Sequence, residues 1–355
     1  MIAGEFAVLE PYQQLSVVAV NRYVYATLKD SDENKLHLTD FQLENLRFEF
    51  SNHKLHIHTA DSRVSFIRNA MEVTYRYLSE KKYPVSPFSL LIKSELDDKS
   101  GIKYGLGSSA AVVTSVVAAI LHKFLPNEPS KELLFKLASI SHVITQGNGS
   151  GADVAASSYG GLLNYASFQA EWLQREYEQT ESISELVEKN WKYLTLEPIS
   201  IPENTYFCVG WTGNPASTKK LVDIVLQLKN DNPPRFEEFL DRSKHAVETF
   251  LHGMEISDFN ILSRGIKENR QALRTVGDYA NAPIETPLLT KLCDVAEKNG
   301  GAGKPSGAGG GDCGIAFMPS KERVEKLLED WEREGIKPLS IQPSRTGAII
   351  LPKSV

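Results

Sequence analysis

Three glycine-rich segments hold the residues whose types and spacing can do chemistry. The sharpest is Lys103-Tyr104-Gly105-Leu106-Gly107-Ser108-Ser109-Ala110-Ala111, which runs directly into a long apolar stretch. Glycines ahead of a helix let the backbone turn tightly and leave no Cβ in the way of a ligand. The first N–H groups of the helix lack internal partners and carry the positive end of its dipole, which makes a phosphate cradle. Ser108 and Ser109 can add hydroxyl donors, or one of them can ligate Mg²⁺. The structural alternative is a glycine turn capped by serine. The second segment, Gly147-Asn148-Gly149-Ser150-Gly151-Ala152-Asp153, again sets glycines before a helix, with a carboxylate in its first turn. Asp153 can simply complement the dipole, or it can orient Mg²⁺ or a nucleophile. The third, Ser306-Gly307-Ala308-Gly309-Gly310-Gly311-Asp312-Cys313-Gly314, lies between a helix and a β-like run, where the backbone can approach a ligand closely.

Rival phosphate motifs fail on spacing. No Gly-Lys-Ser/Thr follows the first loop, so it is not a Walker A loop. Gly105-x-Gly107-x-x-Ala110 satisfies the dinucleotide fingerprint, but the region where an acidic residue should end a second strand is 122–132, a helix end and a Pro-flanked turn. Other candidates read as structure. His56 and His58 share one strand face with no carboxylate or Cys nearby to complete a metal site. Cys313 reads as a small packing residue, and the acidic stretch 171–188 as solvated surface.

The elements that must position these loops follow from periodicity and caps. Leu15–Asp30, KLHLTD, KLHIHT and PFSLLIKSEL read as strands, and Arg63–Tyr83 as a helix closed by Pro84 and Pro87. From Ser109 a helix apolar nearly all round suits burial against a sheet, and Ser130 caps the next, KELLFKLASISHVI. GGLLNYASF and TYFCVGWT read as strands, and Glu171–Trp191 as a charged helix. The second half reads as helices over Arg235–Leu251, Asp258–Val276 and Pro287–Lys298. A strand (CGIAFM), a helix (KERVEKLLEDWEREG) and a last strand complete it. The class is α+β, since strands and helices do not alternate regularly. Two domains are expected, 1–215 and 216–355.

Composition narrows the partners. Of 355 residues, 41% are apolar and 24% charged, and the net charge is −6, which excludes the electrostatic footprint of a nucleic-acid or anionic-membrane binder. An anionic ligand would then need positive charge gathered locally. Three dispersed cysteines fit neither a disulfide framework nor structural zinc, and a cytoplasmic, non-membrane protein is expected.

In IAGEFAV (2–8), GLGSSAA and SGAGGGD, taken in order, the chain resembles the GHMP kinase superfamily, and LDDKSGIKYGLGSSAAV, GNGSGAD, VGWTGNPAS and SGAGGGDCGI resemble its bacterial phosphomevalonate kinase branch. The mevalonate kinase branch carries a Mg²⁺-binding Glu eleven residues before the position of Asp153, where this chain has His142. The resemblance implies a ribosomal-protein-S5-like N-terminal domain and a ferredoxin-like C-terminal domain with the site in the cleft between them. It implies ATP and Mg²⁺ as cofactors and phosphomevalonate as the small-molecule partner, in a monomer or homodimer. Mevalonate kinase or another small-molecule kinase of the superfamily is the alternative.

By the same resemblance Lys103, Gly105, Leu106, Gly107, Ser108, Ser109 and Ala110 take the ATP phosphates, and Ser109 or Ser108 lies near Mg²⁺. Asp153 and Ser150 are the catalytic candidates; Asn148, Ser150, Ser217, Thr218, Gly309, Gly310 and Gly311 are expected on the substrate. The superfamily's N-terminal motif, K-x-P-G-K-L-x-x-x-G-E, has its second Lys about seven residues before Gly-Glu. Gly4-Glu5 leave that lysine no position, so the expectation is a chain that binds nucleotide but turns over poorly, or a ligand-binding homologue, through a start placed too far downstream. If turnover is normal, Lys103 or Lys219 is expected to supply the cation.

Overall fold

The structure, a computed structural model, describes residues 1–96, 104–213 and 218–351. The first half contains β1 (Gln14–Val18), β2 (Val24–Asp30), β3 (Lys35–Leu38), β4 (Leu43–Ser51), β5 (Lys54–Ile57), α1 (Ser65–Glu80), β6 (Phe88–Ser94), α2 (Ser108–Phe124), α3 (Lys131–Gln146), α4 (Ala152–Tyr159), β7 (Leu162–Ala166), α5 (Ala170–Gln179), α6 (Ile183–Glu188) and β8 (Thr195–Ile199). The second contains β9 (Tyr206–Trp211), α7 (Thr218–Asp231), α8 (Pro233–Glu255), α9 (Phe259–Ala280), α10 (Pro287–Lys298), β10 (Ala302–Pro305), β11 (Cys313–Met318), α11 (Lys321–Arg333) and β12 (Lys337–Leu339).

Two sheets build the first half. One has the order β2-β6-β3-β4-β5, antiparallel except for the parallel β3–β6 pair; the other is the antiparallel trio β1-β7-β8. The run read as one strand region, 15–30, is divided between them. At the break, Asn21 N–H donates to the Gln342 carbonyl and Val20 bridges Pro343, so the chain leaves one sheet before it enters the other. Helix α2 is buried along most of its length, and Val113, Val116, Val117, Ile120 and Leu121 join a core with Leu134, Phe135 and Leu137 of α3. Ser130 caps α3 as expected, its Oγ accepting from Leu133 N–H at 3.1 Å. The Glu171–Trp191 segment is two helices rather than one surface helix. Ser182 caps the second, Glu80 accepts from Ser182, Ile183 and Ser184, and Leu173, Ile183, Leu186 and Trp191 are buried.

The second half is a βαββαβ arrangement in which α7–α10 fill the first crossover. Its antiparallel sheet runs β10-β11-β9-β12, the strand order of a ferredoxin-like fold. A division at 215 would assign β9 to the first half, whereas its hydrogen bonds run to β11 and β12; we propose that the boundary falls ahead of β9. Strand β10, Ala-Gly-Lys-Pro, escapes a propensity reading. Its Gly303 lets α10 lie close, because a Cβ there would stand 3.0 Å from the Cys293 Cα and the Ala296 Cβ. Asp258, Thr286 and Ser320 cap α9, α10 and α11. No described helix is long and apolar enough to cross a membrane.

Candidate active site

Gly105 and Gly107 both have positive φ, +73° and +80°, and Gly107 is the N-cap of α2. The first hydrogen bond into that helix runs from Ala111 N–H to the Gly107 carbonyl at 3.2 Å, so the amides of Ser108, Ser109 and Ala110 precede the helix's own ladder. Ala110 is fully buried and lines neither cavity, whereas Ser108 and Ser109 line the smaller one. The loop is anchored on the opposite half of the chain. Tyr104 packs edge-on against Trp211 with ring centroids 5.3 Å apart, and Cys313 Sγ donates to the Tyr104 carbonyl at 3.2 Å. Burial, with Asp312 adding, pushes the Cys313 thiol up to about 12, which supports packing over nucleophilic chemistry. His56 and His58 are exposed.

The second glycine segment is folded by three left-handed glycines. Gly147 closes α3 with its amide on the Val143 carbonyl at 2.7 Å, and Gly151 opens α4. A Cβ on Gly151 would stand 2.5 Å from Phe168, so only glycine fits. Tyr165 donates to the Ser150 carbonyl at 2.5 Å, and burial, helped by the Asp153 charge, pushes its phenol up and keeps it a donor. Ser150 itself is 7% exposed, with Oγ accepting from Ala152 N–H at 3.3 Å. Asn148 accepts from Gln146 Nε2 through its carbonyl and its side-chain oxygen. Asp153 lies against the first loop: a Cβ on Gly107 would be 3.3 Å from the Asp153 Cβ.

Two cavities meet at this point. One of 430 Å³ is lined by Gly105, Leu106, Gly107, Ser108 and Ser109, together with Ser306–Gly309 and Asp312. The other, 1200 Å³, is lined by Asn148, Gly149, Ser150 and His142, with the exposed Arg175, Lys192 and Lys219 around it. Gln146, Asp153, Gly307 and Ala308 line both. Those cations stand among carboxylates, since Glu5, Glu10, Glu171, Glu176 and Asp223 also line the larger cavity and its remaining lysine, Lys229, is paired with Glu10 at 2.8 Å. Arg175 escaped the sequence reading because its helix reads as charged surface.

The third segment divides differently from expectation. Ser306 through Gly309 reach the smaller cavity, while Gly310 and Gly311 line neither, and the Gly310 amide is held by the Ile284 carbonyl at 2.7 Å. A Cβ on Gly309 would fall 2.2 Å from that same carbonyl oxygen, so this glycine also serves close backbone packing. Asp312, at φ +52°, presses on Gly105, where a Cβ would meet its side chain at 2.7 Å. Lys103 and Ser217 lie outside the described residues, and Thr218 is the first residue of α7.

Gly4-Glu5 serve as an anchor. Lys304 Nζ donates to Glu5 Oε1 at 2.5 Å and to the Pro305 carbonyl at 2.6 Å, with both side chains out of solvent. Asn269 donates to Glu5 and accepts from the Gly4 amide. For a divalent cation the smaller cavity offers the Ser109 hydroxyl and the Asp153 and Asp312 carboxylates, while no group of three or more His, Cys, Asp or Glu gathers as a metal cage among the described residues. One or two carboxylates and a hydroxyl suit Mg²⁺, which keeps its waters and shares substrate phosphates.

The family model for the GHMP kinases N-terminal domain matches residues 65–161, and that for the GHMP kinases C-terminal domain matches 250–337. A phosphomevalonate kinase of Streptomyces sp. (strain CL190) is 31% identical over 98% of this chain and 95% of its own. A Lin0012 protein from Listeria innocua superposes with a TM-score of 0.92 at 38% identity, covering 99% of this chain and 97% of that one. Streptococcus pneumoniae phosphomevalonate kinase, in complex with phosphomevalonate and AMPPNP, superposes at 0.82 with 28% identity over 96% of each chain. The chain belongs to the GHMP kinase family, has the GHMP kinase fold and is an ATP-dependent kinase.

Proposed function

We propose that this GHMP kinase transfers the γ-phosphoryl group of ATP to phosphomevalonate, giving diphosphomevalonate and ADP. The observation that carries the reading is the pair of cavities meeting at Asp153, one faced by the glycine loop and the α2 N-terminus, the other lined by the second glycine segment. The Streptomyces and Streptococcus relatives, both phosphomevalonate kinases, support the same acceptor.

In this reading the amides of Ser108 and Ser109 hold the donor phosphates, and Gly107 lets them approach. Asn148 and Ser150 lie along the acceptor side, with Lys219, Arg175 and Lys192 to offset the charge of a second anion. The second pKa of a phosphate monoester is ~6, so the attacking oxygen is already ionised near neutral pH. A strong general base is therefore not required, and positioning plus charge neutralisation carry the catalysis. Asp153, fixed by its own helix through the Val154 amide at 3.0 Å, orients the reacting groups. Ser109 Oγ and Asp153 would hold Mg²⁺, which supplies further neutralisation of the phosphates when bound. ADP release measured in parallel with phosphomevalonate, with mevalonate and with no acceptor tests the proposal. Turnover only with phosphomevalonate is expected; turnover preferring mevalonate would refute it.

A further inference from the structure

One buried side chain of the larger cavity reaches a wall residue of the smaller one. His142, on α3, is 3% exposed yet lines the larger cavity, and its Nε2 lies 3.1 Å from Oγ of Ser109 in the first turn of α2. Phe66 of α1 packs on the imidazole with ring centroids 5.3 Å apart at 36°, which fixes the ring plane. Ser109 faces the other, nucleotide-side cavity. A serine hydroxyl is a free rotor until a partner selects one of its staggered positions. Here the partner is a rigid, buried ring held by packing.

The choice of partner also matters electrostatically. Asp153 already places one carboxylate at the junction of the two cavities, and the larger one is also lined by Glu171 and Asp223 and by Glu5, Glu10 and Glu176, which are paired with Lys304, Lys229 and Lys189. A further acid in the position of His142, buried beside the Ser109 hydroxyl, would add to them from a low-dielectric wall of the space assigned to the acceptor, where like charges repel strongly. An imidazole satisfies the Ser109 hydroxyl without adding negative charge between two polyanions.

We propose that His142 is a positioning residue that fixes the Ser109 hydroxyl toward the donor phosphates and, by keeping a further buried carboxylate away from that hydroxyl, favours an acceptor that is itself an anion. The second half of this statement rests on the phosphate-acceptor reading above; the first half does not.

The test uses the full chain and four variants, H142Q, H142L, H142E and S109A, with the double variant S109A/H142L. Affinity for ADP is measured by calorimetry with and without Mg²⁺, and steady-state constants are measured with phosphomevalonate. Circular dichroism and thermal melting report the fold. Glutamine, with a neutral amide at a reach comparable to Nε2, is expected to stay within about threefold of wild type. Loss of the hydrogen bond in H142L is expected to weaken Mg·ADP binding about tenfold, the loss of roughly one hydrogen bond to a charged site. In the S109A background the same change should cost nothing further, because the partner it positions is gone. H142E is expected to raise KM for phosphomevalonate ~100-fold while ADP affinity changes far less.

Additive losses in S109A/H142L, or wild-type nucleotide affinity in H142L, would overturn the positioning role. So would an H142Q variant that loses as much as H142L while melting lower, since that marks a purely structural histidine. An unchanged KM in H142E would overturn the selection role. If wild type itself ignores phosphomevalonate, the acceptor reading fails and the selection role with it, while the ADP titrations still decide the Ser109–His142 coupling.

Discussion

Gly107→Val probes the phosphate cradle at its narrowest point. Gly107 sits at φ +80°, where a side chain costs ~1–2 kcal/mol of strain. Its Cβ would stand 3.3 Å from the Asp153 Cβ, so even alanine is tight, and the two methyls of valine extend further into the approach to the α2 amides. If the change removes two amide–phosphate hydrogen bonds at ~1.5–3 kcal/mol each, the loss is about 3–6 kcal/mol. That corresponds to nucleotide binding weakened ~10²–10⁴-fold. Gly107→Ala carries the same backbone strain with a single methyl and serves as the control, expected to lose about tenfold or less. Calorimetric titration of ATP analogue into each variant reads the effect, with circular dichroism checking that the fold is retained. Valine binding within a few-fold of wild type would refute the cradle.

Asp153→Asn should lower kcat without making the rate first order in hydroxide between pH 6 and 8; a first-order rise would identify Asp153 as the proton acceptor instead. Lys304→Met leaves Glu5 buried without its cation and should destabilise the protein by about 3–5 kcal/mol, whereas changing Glu5 to Leu at the same time should recover most of that in denaturant melts. Gly309→Ala forces a methyl to 2.2 Å from the Ile284 carbonyl oxygen and should lower the melting temperature clearly; an unchanged melt would show that the 306–311 turn is not braced there. Cys313→Ser should keep its activity. Because burial lifts the thiol to about 12, roughly one molecule in ten thousand is thiolate at pH 8, so iodoacetamide should label it slowly in the native protein and rapidly once unfolded.

What was legible in the sequence was local. Ser130 before an apolar-periodic run marks the start of α3, and Gly107 ahead of nearly unbroken apolar residues marks α2, because caps and periodicity act over a few residues. The three glycine segments likewise announce tight backbone, and two of them, with Ser306–Gly309, do converge on one cleft. What was not legible depends on contacts distant in sequence. Gly310 reads as a substrate-facing glycine until the Ile284 carbonyl takes its amide. Strand β10 has almost no strand propensity and exists because β11 pairs with it and α10 covers it. Lys304 and Glu5 are 299 residues apart and reveal themselves as a pair only when the two ends of the chain meet. His142 sits in a helical run whose apolar face explains it fully until Ser109 is placed beside it.

The acceptor group is the centre of the account, and the bond made to it can be observed directly. Phosphorus NMR of a reaction containing ATP, Mg²⁺ and phosphomevalonate separates a new phosphoanhydride from a new phosphate ester. The account predicts that the phosphomonoester signal of phosphomevalonate is replaced by the coupled pair of a diphosphate ester, at one equivalent of ADP formed. Unchanged phosphomevalonate beside a new monoester signal when mevalonate is supplied would contradict it.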